Sequence, residues 1–418
     1  MVNLQKLKRK INRFWHTLGP GLVTGASDDD PSAITTYSQA GANFGPATLW
    51  TAIIAYPLLA SIQEMCARIG IVNKKTLPGI VKNYYPRWLL YMLLIISCPA
   101  FLLNIGADIA GMGAVANLVY PSIPPFIFSI FFAALLITLL VVMPYRKIEQ
   151  VMKLVCLSLL IYTIVPFWAT QDWKLILKNT FFPTIIIDKS FLLVLTGLIG
   201  SILSPYVFFW QTSMEVEDME IMNKKIVHSK YIFLRMRADI LFGSFFAVLI
   251  MYFIMLAAGT VLHQQHIKEI NTVQDAAVAL KPLAGNFTYL LFSIGIIGTG
   301  FLIIPVLSAT VSYILAEIFD WEKGLNKNFS EAKHFYSVII MATVIGLLLN
   351  ILDLSPVKML LYTTELYGIT APILIGIILH ICNNKKIMGK QANGRLANFL
   401  GLTTLLLTLV VVLSFFIF

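Results

Sequence analysis

Eleven apolar stretches, each close to the length of a bilayer crossing, dominate this 418-residue chain. A membrane helix needs about 20 largely apolar residues. On that scale the stretches fall near 18–43, 47–70, 89–119, 123–143, 150–169, 190–213, 238–262, 287–316, 335–352, 355–381 and 397–418. Backbone polar groups must be satisfied internally in hydrocarbon, and runs of this length do so as helices. The fold class read from the sequence is therefore an all-α polytopic membrane protein with eleven transmembrane helices. The connections are short, so residues 1–418 form a single transmembrane domain with no room for a separate soluble one.

Composition agrees. Charged residues make up 12% of the chain, half the roughly 25% of a soluble domain, and the mean hydropathy is +0.80. A soluble enzyme, a disordered protein and a nucleic-acid binder are excluded. The net charge of +10 is distributed in short basic clusters between apolar runs, which is how orientation is set in a bilayer. With the N-terminus in the cytoplasm, 25 Lys and Arg fall inside and six outside: Lys174, Lys178, Lys189, Lys268, Lys281 and Lys358. That bias puts the N-terminus inside and the C-terminus outside, and a bacterial inner membrane is the expected location.

Cys66, Cys98, Cys156 and Cys382 lie in or beside apolar stretches without a CxxC pattern, and read as small hydrophobes. No cleavable signal peptide is expected, because the apolar run after the basic Met1–Arg13 is interrupted by Asp28–Asp29–Asp30. None of the six histidines lies centrally in a span, which weakens any His-ligated zinc or copper site. The NxT at Asn286 is only a weak glycosylation signal.

Spans one and six are interrupted alike. The first reads LVTGASDDDPSAITTYSQAGA, with three acids and Pro31 in its middle; the sixth reads LIGSILSPYVFFWQ, with Ser201, Ser204 and Pro205. Proline removes an amide donor and clashes with the preceding turn. Two broken helices five spans apart are the sequence mark of a transporter with an inverted repeat and a mid-membrane site. The halves would be 18–169 and 190–381, with 397–418 as an additional helix. Taken alone, Pro205 would suit a simple kink; Pro31 after three acids would not.

Ionisable residues within spans mark pathways or partners. The acids singled out are Asp28, Asp29, Asp30, Glu64, Asp108 and Glu365. Asp30 precedes Pro31, so its carboxylate and the unpaired carbonyls of an unwound segment converge, and that arrangement wants a cation. Asp28 and Asp29 either line the approach and concentrate cations or sit in water at a vestibule. Asp108 lies in NIGADIAGMG, where Gly106, Gly111 and Gly113 allow close helix packing. It is either a proton carrier or a hydrogen-bonded structural acid. Glu64 stands four residues before Arg68, the spacing of a helical ion pair. Glu365, beside Thr363 and Thr364, is a candidate for the central cavity.

These stretches resemble the Nramp family. GPGLVTGASDDDPSAITTYSQAGA is similar to its first span, which carries an Asp-Pro-Gly-Asn motif; LLASIQEMCARIGIVNKKTLPGIV is similar to the second span and its loop. GADIAGMGAV resembles the third-span Asp-Leu-Ala-Glu motif, and AVALKPLAGNFTYLLFSIGIIGTG the entry to span eight. The resemblance implies a LeuT-type 5+5 inverted repeat, and transport of divalent metal ions, usually manganese and iron, commonly with protons.

The chain departs from the family where chemistry is expected. The motif aspartate is Asp30, but the asparagine position is Ala33. Met-Pro-His of the sixth span aligns with Ser204-Pro205-Tyr206, and the position that offers a backbone carbonyl is Ser201. In the third span Asp108 is kept, while the glutamate position is Gly111. The resemblance therefore implies a metal site of Asp30 with Ser27, Ala33, Ser201 and Ser204. Asp28, Asp29, Asp108, Tyr206, Glu64 and Glu365 are left as pathway or proton candidates. Loss of a soft thioether removes discrimination against oxygen-preferring ions, and an oxygen-only site with room for water suits Mg²⁺. The departure resembles the Nramp-related magnesium transporter branch. The expectation is import of Mg²⁺, Mn²⁺ or both by alternating access, as substrates rather than cofactors. Coupling to protons is expected to be weak or absent, because Tyr206 and Gly111 replace titratable positions. The expected partners are the ion and the bilayer, not nucleic acid, and a monomer is expected.

The alternatives are a proton-coupled Mn²⁺/Fe²⁺ transporter, an amino acid or amine symporter of the same fold, an intramembrane aspartyl enzyme built on Asp30 and Asp108, and a metal sensor that no longer transports. A close, proton-sharing carboxyl pair would mark the enzyme; three acids at the break argue against an anionic cargo group there.

Overall fold

The structure is a computed structural model, and it describes residues 20–143, 160–168, 172–186, 188–221, 230–267, 270–278, 285, 288–352 and 355–417. The helices in order are α1 (Pro20–Ser27), α2 (Pro31–Phe44), α3 (Trp50–Asn73), α4 (Leu77–Tyr84), α5 (Arg87–Val119), α6 (Pro125–Val142), α7 (Ile161–Trp168), α8 (Trp173–Phe181) and α9 (Lys189–Ile202). They continue as α10 (Pro205–Ile221), α11 (Lys230–Val261), α12 (Val273–Val278), α13 (Thr288–Phe319), α14 (Lys333–Leu349), α15 (Pro356–Asn383), α16 (Lys385–Met388) and α17 (Arg395–Ile417). Among the described residues, eight helices are long and apolar enough to cross a membrane, with α9 and α10 counted together. The protein is thus an all-helical integral membrane protein.

The expected spans coincide with helices except in three respects. Of 150–169 only residues 160–168 are described. The first span divides into α1 and α2, neither long enough to cross alone, and α14 has only 17 residues. Arg146, Lys147, Lys153, Cys156, Lys224, Lys225, Lys268, Lys281, Asn286 and the N-terminal basic run lie outside the described residues.

Two helices run past the expected boundaries: α10 continues to Ile221 and α11 begins at Lys230. Their extensions are rich in Glu, Met, Lys and Arg, good helix formers whose hydrogen bonds need no hydrocarbon. The loops also carry short helices that hydropathy alone does not reveal. Thr76 caps α4 by accepting from the Gly79 amide, and Asp172 caps α8 by accepting from Lys174 and Leu175. Both are oxygen side chains satisfying free first-turn amides.

Burial sorts the spans into centre and rim. The most hydropathic window of α13 is 78% buried and that of α9–α10 is 72%, against 28% for α6 and 22% for α17. The last two therefore turn most of their apolar surface toward lipid. Inside, α11 packs along both α1 and α2, α10 on α3, α9 on α15, and α5 against α13, α14 and α15. Where α9 meets α15, a Cβ on Gly200 would collide with the Thr364 carbonyl and the Gly368 backbone, so only glycine permits that approach. Of the glycines near Asp108, Gly106 touches Gly346 and Leu349 on α14 and Gly113 touches Pro125 and Ser129. Gly111 meets only Leu360, at 3.7 Å, so it is not a close-packing glycine.

Candidate cation site

Both breaks are interruptions rather than kinks. Residues 28–30 separate α1 from α2, and 203–204 separate α9 from α10. Each proline occupies the first position of the following helix, where its missing N–H costs no hydrogen bond. The kink that Pro205 suggested by itself is corrected on this ground. Pro205 opens α10 after α9 has ended at Ile202.

Asp30 is the N-cap of α2. Its Oδ1 accepts from the Ala33 amide at 2.6 Å and from the Ser32 hydroxyl at 2.5 Å, while Oδ2 accepts from Asn104 Nδ2 at 3.0 Å. Three donors hold the carboxylate in one orientation, and about four lone-pair sites are available on such a group. The Ala33 side chain is buried, so the position contributes an amide to Asp30 and a methyl group to the surroundings.

Asn104 was not singled out from the sequence. It lies one helical turn before Asp108 on α5, so the i, i+4 pair on one face was the available signal.

The other acids have few or no partners. Asp28 and Asp29 are 1% and 0% exposed, so they do not sit in a wet vestibule in this structure. Both carboxylate oxygens of Asp29 lack a hydrogen-bond partner within the protein. So does Oδ1 of Asp28, although the Ser204 hydroxyl lies against that residue. Asp108 is fully buried on α5 with neither oxygen paired, which also corrects the idea of a hydrogen-bonded structural acid. No Lys or Arg forms an ion pair with any of the four among the described residues. Uncompensated buried carboxylates cost several kcal/mol each, a cost that a bound cation or a proton would offset.

Hydroxyls and carbonyls complete the surroundings. Tyr206 Oη donates to the Ser27 carbonyl at 2.9 Å, tying α10 to the end of α1. Ser204 Oγ donates to the Gly200 and Ser201 carbonyls at 3.0 and 2.8 Å, and Ser27 Oγ donates to the Thr24 carbonyl at 2.8 Å. Ser201 Oγ is buried and unpaired. A carbonyl oxygen has two lone pairs, so Ser27 and Ser201 keep ligating capacity. Thr36 and Thr364 hydroxyls lie 2.9 Å apart where α2 meets α15. Phe101, Tyr206 and Tyr367 pack with ring centroids 5.7–6.3 Å apart, all fully buried.

Glu64 and Glu365 lie elsewhere. Glu64 pairs with Arg68 at 3.3 Å and with Arg237 at 3.2 Å near the ends of α3 and α11. Glu365 is half-buried and shares its turn with exposed Tyr362 and Leu366, whereas Thr363 and Thr364 face inward. Glu365, a candidate for the central cavity, therefore does not share the inward face of Thr363 and Thr364. Three further acids escaped sequence reading. Asp239, Glu215 and Glu217 are buried at one end of the molecule: Asp239 accepts from the Gly21 amide at 2.7 Å, Glu215 from Gln211 at 2.9 Å and Glu217 from Tyr313 at 2.5 Å. Cys66, Cys98 and Cys382 are free and buried.

Asp30 and Asp108 share no hydrogen bond, since neither Asp108 oxygen has a partner; the proton-sharing pair an aspartyl enzyme needs is not formed. Among the described residues no three His, Cys, Asp or Glu side chains are arranged as a resident metal site. Two interrupted helices whose breaks meet over unpaired buried acids define a membrane transporter of the discontinuous-helix class.

Within that class the chain belongs to the Nramp family: the profile for natural resistance-associated macrophage protein-like proteins matches residues 21–418. A relative from Caldanaerobacter subterraneus subsp. tengcongensis, named divalent metal cation transporter MntH, is 24% identical over 403 residues, covering 94% of this chain and 90% of its own. The fold is similar to a crystal structure of the Eremococcus coleocola manganese transporter in complex with an aromatic bis-isothiourea substituted compound. That likeness has TM-score 0.75 and 17% identity over 97% of this chain and 87% of the other. It extends to Mhp1, a nucleobase-cation-symport-1 family transporter, with TM-score 0.61 and 12% identity over 95% and 92% of the two chains.

Proposed function

We propose that this protein imports a divalent cation, Mg²⁺, Mn²⁺ or both, by alternating access through the junction of the two helix breaks. The observation that carries the reading is the cluster of Asp28, Asp29 and Asp108, buried with unpaired carboxylate oxygens beside Asp30. Its donors are oxygen throughout: carboxylates, the Ser204 and Ser201 hydroxyls, and the Ser27 and Ser201 carbonyls. Hard cations prefer such donors, and no thioether or imidazole stands at Ser204 or Tyr206 to favour a softer ion. Family membership, and relatives named as divalent metal and manganese transporters, support the cargo class.

In this reading Asp30 is a ligand already oriented by its cap, and Asp29 and Asp28 supply the free lone pairs. Because the acids are sealed from solvent, entry and release each require one side of the junction to part. The repeats would be 18–169 and 190–381, with 397–418 added. The N-terminus would be cytoplasmic, the C-terminus outside, and the working unit a monomer. Proton coupling would be weak, since Tyr206 is engaged as a donor to Ser27.

The test is uptake into proteoliposomes containing an internal indicator for Mg²⁺ or Mn²⁺. Entry of Mg²⁺, or Mn²⁺ entry inhibited by millimolar Mg²⁺, and its loss in Asp30→Ala, is the expected result. Mn²⁺ entry indifferent to excess Mg²⁺ would overturn the oxygen-only argument.

The proton-coupled Mn²⁺/Fe²⁺ reading is kept because Asp108 is buried, unpaired and close to Asp30. Metal-dependent acidification of the liposome interior, abolished by Asp108→Asn, would favour it.

A further inference from the structure

Away from the breaks, a cavity of about 510 Å³ opens between α3, α11 and the first turn of α17. Its polar end carries Glu64, Arg68, Arg237 and Arg395, and Leu241 and Leu400 form part of its apolar wall. Three guanidinium groups face one carboxylate, so the polar end holds an excess of positive charge.

That carboxylate is already shared, Oε2 with Arg68 Nη2 at 3.3 Å and Oε1 with Arg237 Nε at 3.2 Å. The Arg68 side chain is only 5% exposed. Its Nη2 also donates to Asn393 Oδ1 at 2.5 Å, but its Nε has no acceptor. Arg395 makes no ion pair among the described residues, and it opens α17, whose free N-terminal amides add to the positive potential. Arg237 and Arg395 are exposed and line the cavity, so an anion there would meet the positive charge that Glu64 leaves uncompensated.

We infer that this cavity binds the headgroup of one anionic phospholipid, which holds α17 against α3 and α11. A phosphate group alone matches the arginines but leaves the apolar wall bare. Leu241 and Leu396, both lining the cavity, are 48% and 72% exposed, and an acyl chain would cover them. The charge bias of the loops puts this end in the cytoplasmic leaflet, where basic pockets between helices recruit anionic lipid.

The experiment uses the full-length protein, delipidated in a zwitterionic detergent and titrated with phosphatidylglycerol, with phosphatidylcholine of the same chains, or with inorganic phosphate. Binding is followed by native mass spectrometry and by melting temperature. Phosphatidylglycerol is expected to bind about fivefold or more tightly than phosphatidylcholine, and Arg237→Gln with Arg395→Gln to remove that preference. Both side chains are exposed, so folding is preserved. Glu64→Gln strengthens binding, and Arg87→Gln, an exposed arginine outside the cavity, leaves it unchanged. Equal binding of the two lipids, or a double variant indistinguishable from wild type, overturns the proposal. Millimolar phosphate that reproduces the whole thermal shift assigns the arginines to a soluble anion and overturns it too.

Discussion

Asp30 has two jobs that substitution separates. As the α2 cap it accepts from Ala33 and Ser32, and as an anion it faces the break. Asp30→Asn keeps an acceptor oxygen and removes the charge, so the protein should melt near the wild-type temperature yet lose at least tenfold in metal uptake. Asp30→Ala also removes the cap, worth about 1 kcal/mol, and should lower the melting temperature as well. If Asp30→Asn transports like wild type, the charge at the break is not what holds the ion. Tyr206→Phe deletes one buried hydrogen bond between α10 and α1 and leaves the Ser27 carbonyl without that donor. A loss of about 1 kcal/mol is expected, measured by thermal unfolding, together with a change in uptake rate. Asp30, Pro31 and Pro205 were legible in the sequence because each breaks a local rule. Asn104 was less so, because a neutral amide in a membrane helix attracts attention only when its partner 74 positions away is known.

At the scale of elements, the hydropathic runs become helices with little correction, since lipid-facing and core-facing positions are both apolar. The short helices α4 and α8 did not emerge, because eight or nine residues carry too little periodicity to register beside spans of twenty or more. The α1–α11 contact depends on two small residues. A Cβ on Gly25 would meet the Gly243 backbone, so Gly25→Val should cost about 1–3 kcal/mol by overpacking and separate the two helices. At the other end of α1, Asp239 on α11 accepts from Gly21 and so holds the start of the helix that carries the break. Asp239→Ala should speed amide hydrogen exchange across 21–27 without changing exchange in α15. Unchanged exchange in α1 would mean that packing alone fixes that helix.

For the whole molecule, one end is held by a polar network between α4 and the end of α13. Thr76 Oγ1 donates to Glu317 Oε1 at 2.6 Å and Lys82 to the Glu317 carbonyl at 2.7 Å, while Lys323 pairs with Glu317 at 3.2 Å and Lys82 with Asp320 at 2.6 Å. The Lys82 ammonium bonded to Asp320 holds that carboxyl below its ordinary 3.8. A depressed carboxyl contributes fully above its unfolded value and loses that contribution only as pH falls through its lower folded one. The pair is therefore constant from pH 5 to pH 8. Lys82→Met should therefore shift the transport rate without altering the shape of its pH profile in that range. A profile that changes shape in Lys82→Met would move the pH-sensing group to this end.

The sequence by itself determined the medium, the apolar runs that become the long helices, and the place of the two breaks. Each is a property of consecutive residues: apolar run length, charge between runs, and a proline after acids or serine. Tertiary structure decided which acids lack partners, that the Asp triplet is sealed rather than wet, and that Glu365 turns away while Thr364 turns inward. It also decided that Tyr206 reaches Ser27 and that Arg237 of α11 joins Arg68 on Glu64. These are facts about groups far apart in the chain, and whether a charge is compensated depends on what the fold brings beside it.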